Sequence, residues 1–370
     1  MDVALTVEQL WQPVPGGSGS YIRELVAALP GAGVRPVGVA ARHPDDDDAG
    51  LGVPVVRSPL PRRALYESWS RLRRPRADGR GPGGAAGAQV VHATTWAVPG
   101  HRAPLVVTVH DLAFLRDPGH FTARGNAFFR RALDLTRAEA ARVVVPSAAT
   151  RDDCVAAGID AARVDVVPHG VRALPVTEAD RADWRRRHGV HRPYLLWCGT
   201  LEPRKNLPGL VEAYARAAAA EPGFPDLVLV GPAGWGDTAQ AVDRALAALP
   251  AGAVHLLGRL PEQDLQTAYA GAAAFAFPSL WEGFGMPVLE AMAHGVPVVT
   301  SAGSSMAEFT GEAGVLADPT DPDALAAALV DVVSGDRDRR SAAALRTAAS
   351  MTWATAARAH ADSYRAAARA

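Results

Sequence analysis

The chain has 370 residues, of which 38 are basic and 39 acidic, for a formal net charge of −1. That balance excludes a chain that binds nucleic acid over its whole surface, and no nucleic-acid partner is expected. With 48% hydrophobic and 21% charged residues it is neither disordered nor fibrous, and its length exceeds what one core usually fills, so two domains are expected.

Cys154 and Cys198 are the only cysteines. They cannot form a structural zinc site, and their apolar settings point to a reducing compartment. Asp2 and Glu8 stand where a signal peptide would be basic and apolar. The longest apolar stretch, around Ala270–Trp281, is interrupted by Gly271 and Pro278 and is too short to span a bilayer. The expectation is a cytoplasmic protein, at most peripheral on the membrane. All but one of the basic side chains are arginine; the exception is Lys205, which directly precedes Asn206, one of two asparagines.

In chain order, short β-branched runs alternate with Ala-rich helical segments. Strands are predicted at 3–7, 34–40, 53–56, 89–92, 105–109, 142–145 and 164–167. A second series follows at 194–198, 227–230, 253–256, 274–277 and 296–300. Most are continuous apolar runs, as in parallel strands covered on both faces, and the alternation with helices predicts doubly wound α/β domains. The segment 172–192 is polar, Arg-rich and without a strand pattern, and reads as the inter-domain connection. The expected organisation is therefore a first domain over 1–175, a linker over 176–192, a second domain over 193–350 and a terminal helix over 351–370. Pro75–Ala88, rich in Gly, Pro and Ala, reads as a mobile loop within the first domain.

In the first domain, Gly16 and Gly17 lie in a Gly-rich junction between the first strand and a helix expected near 21–29, where backbone can approach a phosphate or sugar. The spacing is not a dinucleotide fingerprint, and a simple tight turn reads equally from it. Leu65, Trp69 and Leu72 share one face of a helix over 62–76 that is otherwise Arg-rich. Such a helix suits an anionic membrane surface, or packs its stripe on its own domain. The acidic run Asp45–Asp48 reads as a solvated loop rather than a metal site. His110 ends a strand on the edge where α/β sheets bind ligands, and fits either a hydroxyl contact or a structural role.

In the second domain, Gly199-Thr200-Leu-Glu-Pro-Arg204-Lys205-Asn206 follows a strand directly. Two adjacent cations at a strand's carboxyl end suit a diphosphate, Arg bidentately and Lys as a compact charge; the competing reading is a pair of solvated side chains. Glu282-Gly-Phe284-Gly285-Met286-Pro-Val-Leu-Glu290 also follows a strand. Pro287 suits a helix's first turn, and backbone amides near Phe284–Met286 suit an anion. Glu290 lies amid apolar neighbours, where a carboxylate needs hydroxyls or a cation to satisfy it. Gly231–Gly236 has the wrong glycine spacing for a dinucleotide site, and there is no P-loop.

These two clusters resemble those of the retaining, nucleotide-sugar-dependent glycosyltransferases of the GT-B fold, family 4. The matching segments are Gly199-Thr200 with Arg204-Lys205-Asn206, the pair Glu282 and Glu290 with seven residues between them, Gly295-Val-Pro-Val-Val, His110-Asp111 and Pro168-His169-Gly170-Val171. The family more often has Asn where His169 stands. The resemblance covers almost the whole chain. It implies two Rossmann-like domains facing across a cleft, with the C-terminal helix crossing back to the first.

By the same resemblance, Arg204 and Lys205 hold the donor diphosphate, Glu282 meets sugar hydroxyls and Glu290 meets the ribose. Gly16 and Gly17 border the diphosphate, His110 lies near the transferring sugar, and Arg259 and Leu260 read the nucleobase. Gly199, Thr200, Phe284, Gly285 and Met286 complete the donor site. The expected reaction is hexosyl transfer from a nucleoside-diphosphate sugar, GDP-mannose or a UDP-sugar, to a hydroxyl of a glycan or lipid-linked acceptor, with no metal or other cofactor. A nucleotide-sugar 2-epimerase and a non-catalytic sugar-nucleotide binding protein are the alternatives.

Overall fold

The computed structural model describes residues 1–43, 48–232, 246, 249 and 252–370. The chain divides into two compact units, Met1–Gly170 with Thr352–Ala370, and Val171–Met351.

Among the described residues, the first unit is built on seven parallel strands: β1 (Asp2–Thr6), β2 (Arg35–Ala40), β3 (Val55–Arg57), β4 (Val90–Ala93), β5 (Leu105–Thr108), β6 (Ala140–Val145) and β7 (Val164–Val166). Their order is β3-β2-β1-β4-β5-β6-β7. The second unit holds β8 (Tyr194–Cys198), β9 (Asp226–Val230), β10 (Val254–Gly258), β11 (Ala274–Phe277), β12 (Val298–Ser301) and β13 (Gly314–Ala317). These run β10-β9-β8-β11-β12-β13, again all parallel. Central strands such as β4, β5, β9 and β11 are buried along their whole length, which is why they read as unbroken apolar runs. The fold is the expected pair of Rossmann-like α/β units.

Four details differ from the sequence expectation. β13 went unpredicted. It is a four-residue edge strand with Leu316 43% exposed, too short and too open to show a strand pattern. The stretch expected as a linker belongs to the second unit. It folds as a helix, Glu178–His188, opened by a reciprocal capping box between Thr177 and Asp180 and ended by Gly189 in the left-handed region. Trp184 anchors that helix in the second core, 1% exposed and stacked 5.7 Å from Tyr194.

Pro75–Ala88 is a packed loop rather than a loose one. The Ala77 amide donates to the Gly100 carbonyl at 2.9 Å, the Ala85 amide to the Ala77 carbonyl at 2.7 Å, and both alanines are buried. The basic helix spans Arg62–Leu72 and sinks Leu65 and Trp69 into the first unit's core, so its apolar stripe is covered by its own domain. Only Leu72 of that stripe stays exposed. Asp48 is the described residue of the acidic run; its carboxylate accepts the Gly50 and Gly52 amides at 2.9 and 3.2 Å, a local turn contact. Residues 45–47 and 233–236 lie outside the described residues.

The C-terminal helix, Trp353–Ala367, completes the first unit by burying Ala357, His360, Ala361 and Tyr364. Gly170 makes that return possible: a Cβ there would stand 2.2 Å from the Trp353 amide nitrogen. Among the described residues no helix is long and apolar enough to cross a membrane.

Candidate active site

The second sheet runs outward from β8 to β9 and β10, then returns to place β11 on the other side of β8. The strand order thus reverses between β8 and β11, and the loops leaving their carboxyl ends open side by side. Open α/β sheets bind ligands at such a reversal. The loop after β8 carries Gly199 to Asn206, and the loop after β11 carries Glu282 to Gly285.

The two loops are joined through charge. Pro203–Lys205 forms a single 3-10 turn, and Asn206 turns left-handed, at φ 52°, into the helix Leu207–Ala220. Lys205 donates from Nζ to Glu282 Oε1 at 2.5 Å and lies 4.7 Å from the centre of the Phe277 ring. Arg204 pairs with Glu282 Oε2 at 2.7 Å, donates to the Trp281 carbonyl at 3.0 Å, and bonds Glu202 Oε1 at 2.7 Å. The Leu280 amide donates to the Arg204 carbonyl at 2.9 Å. Burial alone would push the Glu282 carboxyl up, but Arg204 and Lys205 outweigh it and hold the group down at about 2. Glu282 is therefore a carboxylate throughout the neutral range.

Gly199 lies at the closest approach of the loops after β8 and β9: its amide bonds the Val230 carbonyl, and a Cβ on Gly231 would sit 1.7 Å from the Gly199 oxygen. Thr200 follows it on the same loop. After Glu282, the chain enters the helix Met286–Ala293 through Gly285, left-handed at φ 97°, with Pro287 in the first turn. Ser305 braces the entry by donating from Oγ to the Glu282 and Phe284 carbonyls at 2.8 and 3.2 Å. The Phe284 ring points into the core, 5.1 Å from Phe309, so only its backbone can face a ligand.

Glu290, half-buried on that helix, accepts a hydrogen bond from the Tyr269 hydroxyl at 3.0 Å. Burial pushes its carboxyl up to about 7. No direct contact joins it to Arg204, Lys205 or Glu282 among the described residues. Arg259 and Leu260 follow the outermost strand β10, Arg259 exposed, and also stand apart from that cluster.

In the first unit, Gly16 and Gly17 are exposed in the first turn of a helix that begins at Gly16 and runs to Ala28, earlier than expected. His110 follows β5. Its Nε2 faces the Thr94 carbonyl at 3.0 Å, an acceptor only, so that nitrogen carries the proton and Nδ1 keeps a lone pair. Burial lowers the His110 pKa, and the ring of Tyr21 meets it edge-on at 4.8 Å. Beneath it, Tyr21, Thr108, His92, His360 and Tyr364 form a buried chain of hydrogen bonds, each 2.8 Å long.

Sequence reasoning missed Glu202, Ser305 and Tyr269. Glu202 lay inside the quoted motif but had no assigned partner. Ser305 and Tyr269 are reached only across the fold, and nothing in their local sequence marks them.

Two Rossmann-like units, with a cation pair and a carboxylate meeting at the second unit's strand reversal, define the GT-B class of glycosyltransferase. Residues 180–349 match the family model for glycosyl transferases group 1, and residues 15–173 that for glycosyltransferase family 4. The chain belongs to this glycosyltransferase family. It is 31% identical over 279 residues to the Escherichia coli O-antigen chain mannosyltransferase B, covering 71% of each chain. It is 35% identical over 267 residues to the D-inositol 3-phosphate glycosyltransferase of Geodermatophilus obscurus, covering 68% of this chain and 58% of that one. Among solved structures, Anabaena HepE in complex with UDP-glucose superposes with a TM-score of 0.74 at 21% identity, covering 98% of both chains. Sucrose-phosphate synthase from Thermosynechococcus elongatus gives 0.74 at 23%, covering 99% of this chain and 98% of that one.

Proposed function

We propose that the protein transfers a hexosyl group from a nucleoside-diphosphate sugar to an acceptor hydroxyl, with retention at the anomeric carbon, in glycan or cell-envelope polysaccharide synthesis. The observation that carries the reading is the Arg204–Lys205 pair at the strand reversal, with Glu282 between the two cations.

As the bond from the anomeric carbon to the diphosphate oxygen breaks, negative charge grows on the leaving group. Arg204, Lys205 and the helix start at Phe284–Met286 are aimed where they offset it. The bond to the acceptor oxygen forms on the same face, and the acceptor's proton passes to the departing phosphate, so no protein nucleophile is needed. Two fixed cations take the place of a divalent metal, and no metal is required. Glu282 receives donor-sugar hydroxyls and Glu290 the ribose; Gly199, Thr200, Arg259 and Leu260 line the nucleotide. In the first unit, His110 offers its Nδ1 lone pair to a hydroxyl.

GDP-mannose is the first donor to test, in view of the mannosyltransferase relative, and UDP-sugars the second, in view of HepE with UDP-glucose. For a lipid-linked acceptor, contact with an anionic membrane surface would run through the arginines of 62–76, since Leu65 and Trp69 are buried. Co-sedimentation with vesicles would then depend on anionic lipid.

Thermal stabilisation by GDP-, UDP- and dTDP-sugars, followed by transfer assays with and without EDTA, tests the reading. One nucleotide class should stabilise the protein, and transfer should survive the chelator. Stabilisation by none overturns it. Conversion of the donor without acceptor or nucleotide release would mark an epimerase, and binding without turnover a non-catalytic binder.

A further inference from the structure

Glu290 is held from behind. The Tyr269 hydroxyl, on the helix Glu262–Gly271, donates to Glu290 Oε2 at 3.0 Å. The Tyr269 side chain has no freedom to leave: it is fully buried, with the Phe275 ring 5.4 Å away at 61° and the His294 ring 6.4 Å away and nearly parallel. His294 is itself tied to Gln266 Oε1 at 2.6 Å. A phenol locked in this way can serve one oxygen of the carboxylate and leaves Oε1 as the acceptor for anything entering from the carboxyl edge of the sheet.

We propose that Tyr269 is a positioning residue for the donor, fixing Glu290 so that its second oxygen meets the ribose hydroxyls. This rests on the reading of Glu290 as the ribose contact. Hydroxyl donation favours the ionised carboxyl, which a ribose diol also requires, so Tyr269 and the nucleotide act on Glu290 in the same direction.

The other groups around Glu290 do not supply this. Cys198, at the end of β8, is pushed up to about 12 by burial and remains a thiol. Glu262 repels a second carboxylate, and burial opposes ionisation. Lys205 is felt by Cys198 through its charge, but its hydrogen bond goes to Glu282. His294 is held neutral by burial. Among the described residues, Tyr269 is the donor that reaches the Glu290 carboxylate.

The test compares wild type, Tyr269→Phe and Glu290→Gln in binding UDP, GDP and their 2′-deoxy counterparts by calorimetry between pH 6 and 9. Wild type should bind the ribonucleotide more tightly as pH rises through about 7, and the 2′-deoxy form less tightly and with less pH dependence. In Tyr269→Phe the rise should move to higher pH, with ribonucleotide affinity about three- to tenfold weaker at pH 7 and recovering by pH 9. A wild-type profile in Tyr269→Phe, alongside weakened binding in Glu290→Gln, overturns the role of Tyr269. No effect of Glu290→Gln, or no nucleotide binding by wild type, overturns the ribose reading on which it rests.

Urea unfolding without nucleotide gives an independent arm. The destabilisation caused by Tyr269→Phe should grow from pH 6 to pH 9, because only the ionised Glu290 depends strongly on the hydroxyl. A constant difference across that range shows packing alone and also overturns the assignment.

Discussion

Lys205 Nζ and Glu282 Oε1, 77 residues apart in sequence, lie 2.5 Å apart. The same carboxylate pairs with Arg204, whose other nitrogen is taken by Glu202. The two cations are thus answered by two carboxylates. On the proposed reading of the two cations as a diphosphate site, donor binding is an exchange, in which phosphate oxygens replace Glu282 and the freed carboxylate turns to sugar hydroxyls.

That exchange gives Glu282→Gln opposite effects on binding and turnover. Removing the competing charge should tighten UDP or GDP binding about three- to tenfold, while transfer falls at least about tenfold for loss of the hydroxyl acceptor. The unliganded variant should also melt earlier and gain more from nucleotide, since buried Lys205 and half-buried Arg204 lose their shared partner. Calorimetry and melting curves check this; weaker nucleotide binding sinks the exchange.

Lys205→Ala removes one cation of the proposed diphosphate site but leaves Glu282 paired with Arg204. Turnover should drop about 10²–10³-fold, as for loss of one preorganised donor to a developing anion. The fold should persist with a loss of about 1–3 kcal/mol. Transfer assays and urea titration measure both, and wild-type turnover would remove Lys205 from the site.

Acid should destabilise the first unit. His92, His110, His169 and His360 are all lowered, chiefly by burial, with His360 at about 4. The unfolded chain takes up protons below about pH 6.5 while the folded chain does not, so stability is full above 6.5 and declines towards pH 4. The slope should reach about 1.4 kcal/mol per pH unit for each such histidine. His360→Gln should flatten it in urea titrations at pH 7.5, 6 and 5; an unchanged slope would count against a neutral buried His360.

Trp184 tests whether the segment 176–192 belongs to the second unit's core. Trp184→Ala should cost about 3–5 kcal/mol. Its indole nitrogen is buried without a hydrogen-bond partner among the described residues, so Trp184→Phe should cost less, about 1–2 kcal/mol. Equal, small losses in both variants would return the segment to the status of a tether.

Much of this was legible in order along the chain. Parallel strands buried on both faces produce apolar runs, and twelve of the thirteen strands among the described residues followed from those runs. The capping box at Thr177–Asp180 was also written in the sequence, yet a helix so rich in Arg and Asp shows no apolar face, and its one anchor, Trp184, gives no period to detect. The basic helix left two readings open, a membrane surface or its own domain. Its stripe was visible, but a stripe does not say what covers it, and Leu65 and Trp69 turned out to be covered by their own domain.

By itself, the sequence determined which chemistry is available: one lysine beside an arginine at a strand end, and two glutamates eight positions apart on either side of a helix start. These are local properties, set by residue type and by the carboxyl end of a strand. Only the tertiary structure decided how the charges are disposed. Strand order puts β8 beside β11, so Lys205 and Glu282 meet, while Glu290 answers to Tyr269 instead. Those partners are fixed by sheet order and helix packing, which bring together residues that carry no mark of one another along the chain.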